Sequence, residues 1–428
     1  MTPAARPRAL FVAPMLPARR RNGLAMRLGM FLEALAAFAD VDLAVVPVAG
    51  GSVERTPFLQ SFGAHVRLHP FPAEAGTHFA LLSRLADPTA RLDAFRHYGR
   101  PSLASGLSPR AIDGIARLAE HRRYDLVHVA RSYMIPAIAG LDDRAPLTLD
   151  LDEDDLASFA SRAAFARRSG DAIRAEWLEQ EGRACDALLT AELRRFRRVF
   201  AASFRDGTRL MRRHAGATVE PVPNAVDIPP QPPRSDDGCT ALFVGAFGYP
   251  ANVDAVLGFA RRIMPSLRAR VGRVRLLVAG TDPPAAVRAL GRHPDVRVLG
   301  AVDDLAPLYR RASIAVAPMR GGGGTRIKVL EAASFAVPVV VDADSAAPLF
   351  GRSRPWGWIA RNATDFARAC ATALRQPNER EWRGAVGYSA VARHYARPAV
   401  VTRLAGRLRQ AAGLGRSEEH TSELQSPT

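Results

Sequence analysis

Gly321-Gly322-Gly323-Gly324-Thr325-Arg326-Ile327-Lys328-Val329-Leu330-Glu331 contains the chain's only lysine among 59 basic residues. The segment reads as a glycine loop running into a helix, with Thr325 as the expected N-cap. Consecutive glycines allow positive φ and close backbone approach to a ligand. Free N–H groups at a helix start form an anion site. Basic residues in a first helical turn oppose the helix dipole, and a bound anion reverses that sign. Arg326 and Lys328 with the loop amides suit a diphosphate, and Glu331, one turn on, can accept hydrogen bonds from sugar hydroxyls. Ala336-Val337-Pro338-Val339-Val340-Val341 follows and reads as a buried parallel strand. Strand, loop, helix and strand in this order are the setting in which α/β folds bind nucleotides. The plainer reading is a surface loop with a solvated Lys328–Glu331 pair worth about 0.2–0.5 kcal/mol. It has no use for the buried strand that follows.

Working outward, the 428 residues suggest two domains, and 48% hydrophobic content is enough for real cores. Cys185, Cys239 and Cys370 are too few and too scattered for a disulfide framework or a zinc site, and they fit a reducing compartment. No apolar stretch is long enough to span a membrane. The short run Ala9–Ala13 reads as a first strand, not as a signal-peptide core. The net charge of +17 suits anionic partners: phosphorylated small molecules, lipid headgroups or nucleic acid. Aromatic residues are only 7%, without the aromatic–basic interleaving of a base-stacking surface.

Residues 229–239, rich in proline and polar residues, read as a linker. Before it, strands are expected at Leu10–Ala13, Val41–Val46, Leu126–Val129, Leu147–Leu151, Phe200–Ser203 and Val219–Val222. Helices are expected at Ala25–Ala39 and Ala172–Arg195. After it, strands are expected at Ala241–Val244, Val274–Ala279, Val296–Leu299, Ile314–Ala317 and Ala336–Val341, with helices at Val253–Ala269 and Leu305–Arg311. Strands ending in Gly or Pro before a loop belong to parallel sheets with ligand loops at the carboxyl edge. The pattern predicts two Rossmann-like domains facing a cleft: 1–228, then 240–392. A terminal helix follows at 393–412. The tail 413–428 is polar and aperiodic, resembles a translated sequencing adapter, and is excluded from the fold.

These residues, in this order, resemble the GT-B glycosyltransferases of the family 4 or group 1 type, bacterial members tied to polysaccharide assembly in particular. The resemblance rests on Gly321–Val341, on Leu242-Phe243-Val244-Gly245 with Pro250-Ala251-Asn252-Val253-Asp254-Ala255, and on Arg297–Leu305. Pro223-Asn224-Ala225-Val226-Asp227, Tyr124–His128 and the Asn22-Gly23 loop add to it. It implies a first domain that binds an acceptor, a second that binds a nucleotide-sugar, and a C-terminal helix crossing back to the first domain. It implies retaining transfer of a sugar to a glycan or lipid-linked acceptor, with no metal and no cofactor, the nucleotide-sugar being a substrate. Donor contacts are expected at Gly23, Gly245, Asn252, Gly322, Gly323, Gly324, Thr325, Arg326, Lys328 and Glu331. Glu331 holds the ribose, and Arg326 and Lys328 neutralise the leaving diphosphate. Two departures stand out. Gly323 occupies the place of a family glutamate that contacts the transferred sugar, and Gly245–Asn252 lacks the family's Arg and Lys after the first strand of this domain.

Three other features compete. His128 ends a strand and is expected to contact the acceptor or sugar; a hydrogen-bonded structural histidine is its alternative. Asp150-Leu151-Asp152-Glu153-Asp154-Asp155 reads as a strand end leading into an acidic helix start, although clustered carboxylates also build metal sites. Arg194, Arg195, Arg197 and Arg198 around Phe196, with Arg19, Arg20 and Arg21, suit an anionic membrane, placing the protein in the cytoplasm and peripherally at the inner face of the cell membrane. The alternatives to an active enzyme are a silent nucleotide-sugar binder and, last, a basic nucleic-acid-binding or metal-dependent protein.

Overall fold

The computed structural model describes residues 5–74, 76–141, 144–230, 235–319, 326–346, 349–350 and 356–414. The chain divides into two compact units. One runs to Pro223 and resumes at Val400; the other lies between Asn224 and Ala399.

The first unit holds a parallel sheet of β1 (Arg8–Ala13), β2 (Asp40–Val45), β3 (Val66–Pro70), β4 (Leu126–Ala130), β5 (Leu147–Asp152), β6 (Phe196–Ala201) and β7 (Val219–Pro221). Their spatial order is β3-β2-β1-β4-β5-β6-β7. Central strands of a parallel sheet are covered on both faces, which is why β1 is a continuous apolar run with Leu10, Phe11 and Val12 fully buried. The helix Gly23–Ala36 follows β1 and is capped by Asn22, whose Oδ1 accepts from Ala25 N at 2.9 Å.

The second unit repeats the plan with β8 (Thr240–Val244), β9 (Arg275–Ala279), β10 (Val296–Gly300), β11 (Ile314–Ala317), β12 (Val339–Asp342) and β13 (Trp358–Ala360), in the order β10-β9-β8-β11-β12-β13. Counted from its own first strand, each sheet runs 3-2-1-4-5-6, and the first sheet adds a seventh strand beyond the sixth. That is the doubly wound order, whose ligand crevice opens beyond the carboxyl ends of the first and fourth strands. For the second unit these are β8 and β11, and in sequence the glycine run follows β11.

Several boundaries differ from expectation. β6 starts at Phe196, not Phe200. β3 and β13 are edge strands, and the sequence pattern did not reveal them: β3 buries only Val66 fully, so it has no apolar run to read. The helix expected over Val253–Ala269 is two helices, Pro250–Gly258 and Met264–Val271, joined by a π turn at Phe259–Ile263. Pro265 opens the second of them, and its missing N–H accounts for the interruption. The last helix is Arg397–Ala411, and from Val400 it belongs to the first unit. There Arg197 donates to Ala411 O at 3.0 Å, and Arg407 donates to Pro221 O at 2.8 Å.

Candidate functional site

The site in the second unit is built where β8 and β11 end. Gly245 follows β8, and a Cβ there would lie 2.8 Å from Asn252 Cγ. Glycine at this position lets the Asn252 side chain press against the strand end. Gly280, after β9, is packed more closely still: a Cβ would meet Gly245 O at 1.9 Å. Asn252 is buried, in the first turn of the helix Pro250–Gly258, and its Nδ2 donates to Ala246 O at 2.7 Å.

Lys328 reaches this point from the helix Ile327–Ser334. Its Nζ donates to Asn252 Oδ1 at 2.6 Å, lies 3.6 Å from Met319 Sδ, and sits 4.6 Å from the centre of the Phe243 ring. The residue is half-buried and its amine is the enclosed end. Burial, reinforced by Arg326, draws its pKa down to about 7, against the opposing pull of Glu331 and Asp342.

Arg326 is the N-cap of that helix and makes no side-chain capping bond. Thr325, the expected cap, lies outside the described residues, as do Gly322, Gly323 and Gly324. Arg326 Nε donates to Ser345 Oγ at 3.3 Å. Ser345 Oγ in turn donates to Asp342 Oδ2 at 2.7 Å, and Ser345 N to Asp342 Oδ1 at 3.0 Å. Glu331, one turn past Lys328, accepts from Tyr309 Oη at 3.4 Å, and Tyr309 stacks on Phe335 with centroids 5.0 Å apart. Burial, and then Glu331, hold the Tyr309 hydroxyl well above its ordinary pKa, so it stays a donor. Two cations and one carboxylate therefore line one helix start, each steadied by a side chain from another strand or helix. The arrangement can neutralise a diphosphate and offer a carboxylate to a sugar hydroxyl.

Sequence reasoning missed Asp342, Ser345, Tyr309 and Phe243. Asp342 ends β12 as the first polar residue after three valines, which is a legible signal. Tyr309 and Phe243 carry none, because both read simply as core.

In the first unit, Gly23 opens the helix after β1 and is exposed. His128 is a correction to the catalytic expectation. It is fully buried, its Nδ1 lies 2.9 Å from Thr148 Oγ1, and its ring stacks on Phe31 at 4.6 Å. Burial, with Arg27 nearby, pulls its pKa down to about 3, so it is a neutral core histidine. Asp150 lies near the end of β5, as the strand-end reading of the acidic run expects. It is fully buried and accepts from Arg27 Nε at 2.7 Å and Arg27 Nη2 at 2.6 Å. Along the acidic run, Asp155 pairs with Arg131 at 2.8 Å, and Asp154 caps a helix and pairs with Arg213 at 2.5 Å. Guanidinium groups occupy the positions a cation would need, and no metal-holding group of three such side chains exists among the described residues. The basic stretch at Phe196 is similarly engaged. Phe196 is buried, Arg195 pairs with Glu192, and Arg198 pairs with Glu220.

Comparisons with known proteins agree with this layout. Residues 238–376 match the family model described as glycosyl transferases group 1. No curated protein matches the chain in sequence. Sucrose-phosphate synthase from Thermosynechococcus elongatus superposes with a TM-score of 0.67 at 16% identity, covering 96% of this chain and 100% of that one. Anabaena HepE, in complex with UDP-glucose, gives 0.62 at 13% identity, covering 94% and 99%. An E. coli trehalose-6-phosphate structure bound with UDP-2-fluoro glucose gives 0.62 at 12% identity, covering 95% and 99%. The chain thus has the GT-B fold over nearly its whole length, and residues 238–376 are similar to the group 1 glycosyl transferases.

Proposed function

We propose that this protein transfers a sugar from a nucleotide-sugar donor to a glycan or lipid-linked acceptor, with retention of configuration and without a metal. The observation that carries the reading is the grouping of Lys328, Arg326 and Glu331 at one helix start beyond β11, beside Gly245 and Asn252 beyond β8. Arg326 and Lys328 bind the diphosphate and stabilise the charge that develops on it as the bond from the sugar's anomeric carbon to the phosphate oxygen breaks and the acceptor hydroxyl oxygen takes the sugar. Glu331 accepts from the ribose hydroxyls. The similar structures that hold UDP-glucose and UDP-2-fluoro glucose make UDP-sugars the first donors to try.

The test is thermal stabilisation by UDP-, GDP-, ADP- and dTDP-sugars, in the native protein and in Glu331→Ala. A donor at 100 times its dissociation constant adds about 2.7 kcal/mol. The expected result is a shift with one nucleotide class that is lost in the variant. A folded protein that responds to none of the four sinks the reading. Gly323, where the family carries a sugar-contacting glutamate, favours a second reading, a binder that does not turn over. Donor hydrolysis in a protein that binds its nucleotide separates the two. The proposed location is the cytoplasm, at the inner face of the membrane if the acceptor is lipid-linked.

A further inference from the structure

Asn252 stands between two fixed points. Its Nδ2 donates to Ala246 O at 2.7 Å, which turns its Oδ1 toward Lys328 at 2.6 Å. The missing side chain at Gly245 creates the space, since a Cβ there would lie 2.9 Å from Asn252 Nδ2. Among the described residues, Asn252 Oδ1 is the oxygen partner of the Lys328 amine, and its other neighbours are the Met319 sulfur and the face of Phe243. The charged groups acting on the amine are Arg326 and Glu331 around its own helix and Asp342 at the end of β12.

A buried cation usually faces a carboxylate. Here the direct partner is a neutral amide. The amide dipole orients the ammonium without cancelling its charge, so the charge is left for an incoming anion. A carboxylate at the same place would keep the proton on the amine permanently and repel a diphosphate. Burial and Arg326 favour the neutral amine in the empty site, and a nearby dianion reverses that preference.

We propose that Asn252 is a positioning residue for diphosphate binding: it aims the Lys328 amine at the strand-end loops and keeps its proton exchangeable, so that a nucleoside diphosphate binds with uptake of a proton. The inference rests on the nucleotide-sugar reading above and adds the coupling of binding to protonation.

Because Lys328 is the chain's only lysine, protein labelled with 13Cε-lysine gives one side-chain signal that needs no assignment. Its titration is followed in the native protein, Asn252→Ala and Asn252→Asp, each confirmed folded by circular dichroism, with and without UDP. Calorimetry in two buffers of different ionisation enthalpy reads the proton taken up on binding. The expected midpoint in the native protein lies well below that of an ordinary lysine and rises when UDP is added. Asn252→Asp raises the midpoint of the free protein and abolishes proton uptake. Asn252→Ala lowers it and weakens UDP binding about tenfold or more, the effect of losing a hydrogen bond to a charged group. If UDP binds with no proton uptake, or the midpoint ignores residue 252, this inference fails while the nucleotide reading stands. If UDP, GDP, ADP and dTDP all fail to bind although the amine titrates as expected, the nucleotide reading fails and takes proton-coupled binding with it.

Discussion

Arg27 and Lys328 are both enclosed cations, and the protein treats them oppositely. Burial pulls Arg27 downward, but Asp150 and Asp152 outweigh it and hold the guanidinium above its ordinary value. Arg27 also donates to Val222 O at 3.0 Å, so it ties the first helix to the ends of β5 and β7. Its charge is permanent and structural; the charge of Lys328 is exchangeable. Asp42 is a third case. It accepts from His69 at 2.8 Å, Arg122 at 2.8 Å and Tyr124 at 2.9 Å. Burial pushes its carboxyl up, and these three bonds overcome it and bring the pKa down to about 2 from 3.8. A carboxylate depressed on folding stabilises the protein above its unfolded pKa, and that stability is lost as pH falls through the folded one. Asp42 thus contributes about 1–2 kcal/mol after allowance for solvent screening. Urea unfolding of the native protein and Asp42→Asn across the acid range checks this. The native protein is expected to lose that margin as pH drops from 3.8 toward about 2, and the variant is not. Parallel acid limbs contradict the assignment.

At the scale of elements, the last helix belongs by packing to the domain from which it is most distant in sequence. Val400, Leu404, Leu408 and Ala411 are buried, and Leu408 is fully so. Arg409 lies over the Phe38 ring at 5.9 Å. Leu408→Ala is expected to cost about 2–5 kcal/mol, the range for emptying a buried leucine site. Hydrogen exchange locates the loss: amides of β1 and β6 should exchange faster while those of β8 and β12 keep their protection. Equal loosening of both sheets contradicts the packing described.

For the whole molecule, the net charge of +17 invites a membrane or nucleic-acid reading, and the structure narrows it. Arg195, Arg198 and Arg213 are held in ion pairs, and Arg197 holds the last helix. Arg19, Arg20 and Arg21 are exposed, beside the helix that Gly23 opens. No helix among the described residues is long and apolar enough to cross a membrane. The proposed peripheral contact therefore falls to the exposed Arg20, Arg21 and Arg194. Vesicle flotation should show preference for anionic over neutral lipid, weakened by replacing the three arginines with glutamine. Equal recovery with both lipids removes the membrane from the proposal.

The central strands were legible because a parallel strand covered on both faces is a near-continuous apolar run, as Ala9–Ala13 of β1, Ala241–Val244 of β8 and Val339–Val341 of β12 are. Arg326, Lys328 and Glu331 stood out in the sequence because basic residues at a helix start oppose its dipole unless an anion is bound, and the structure places all three at the start of one helix. The edge strands β3 and β13 were not legible, since partial covering leaves no pattern to read. His128 looked available because it lies in a strand near the sheet's carboxyl edge; only packing against Phe31 and Thr148 shows that its ring points into the core. The acidic run read as a strand end and helix start, with a metal site as its alternative, and folding brings Arg27, Arg131 and Arg213 to it from other parts of the chain. Sequence alone determined the alternation of strands and helices, and with it the fold class, because those depend on local periodicity and backbone chemistry. Tertiary structure decided which charges are paired with one another, because the pairing of charges depends on distances that sequence separation does not encode.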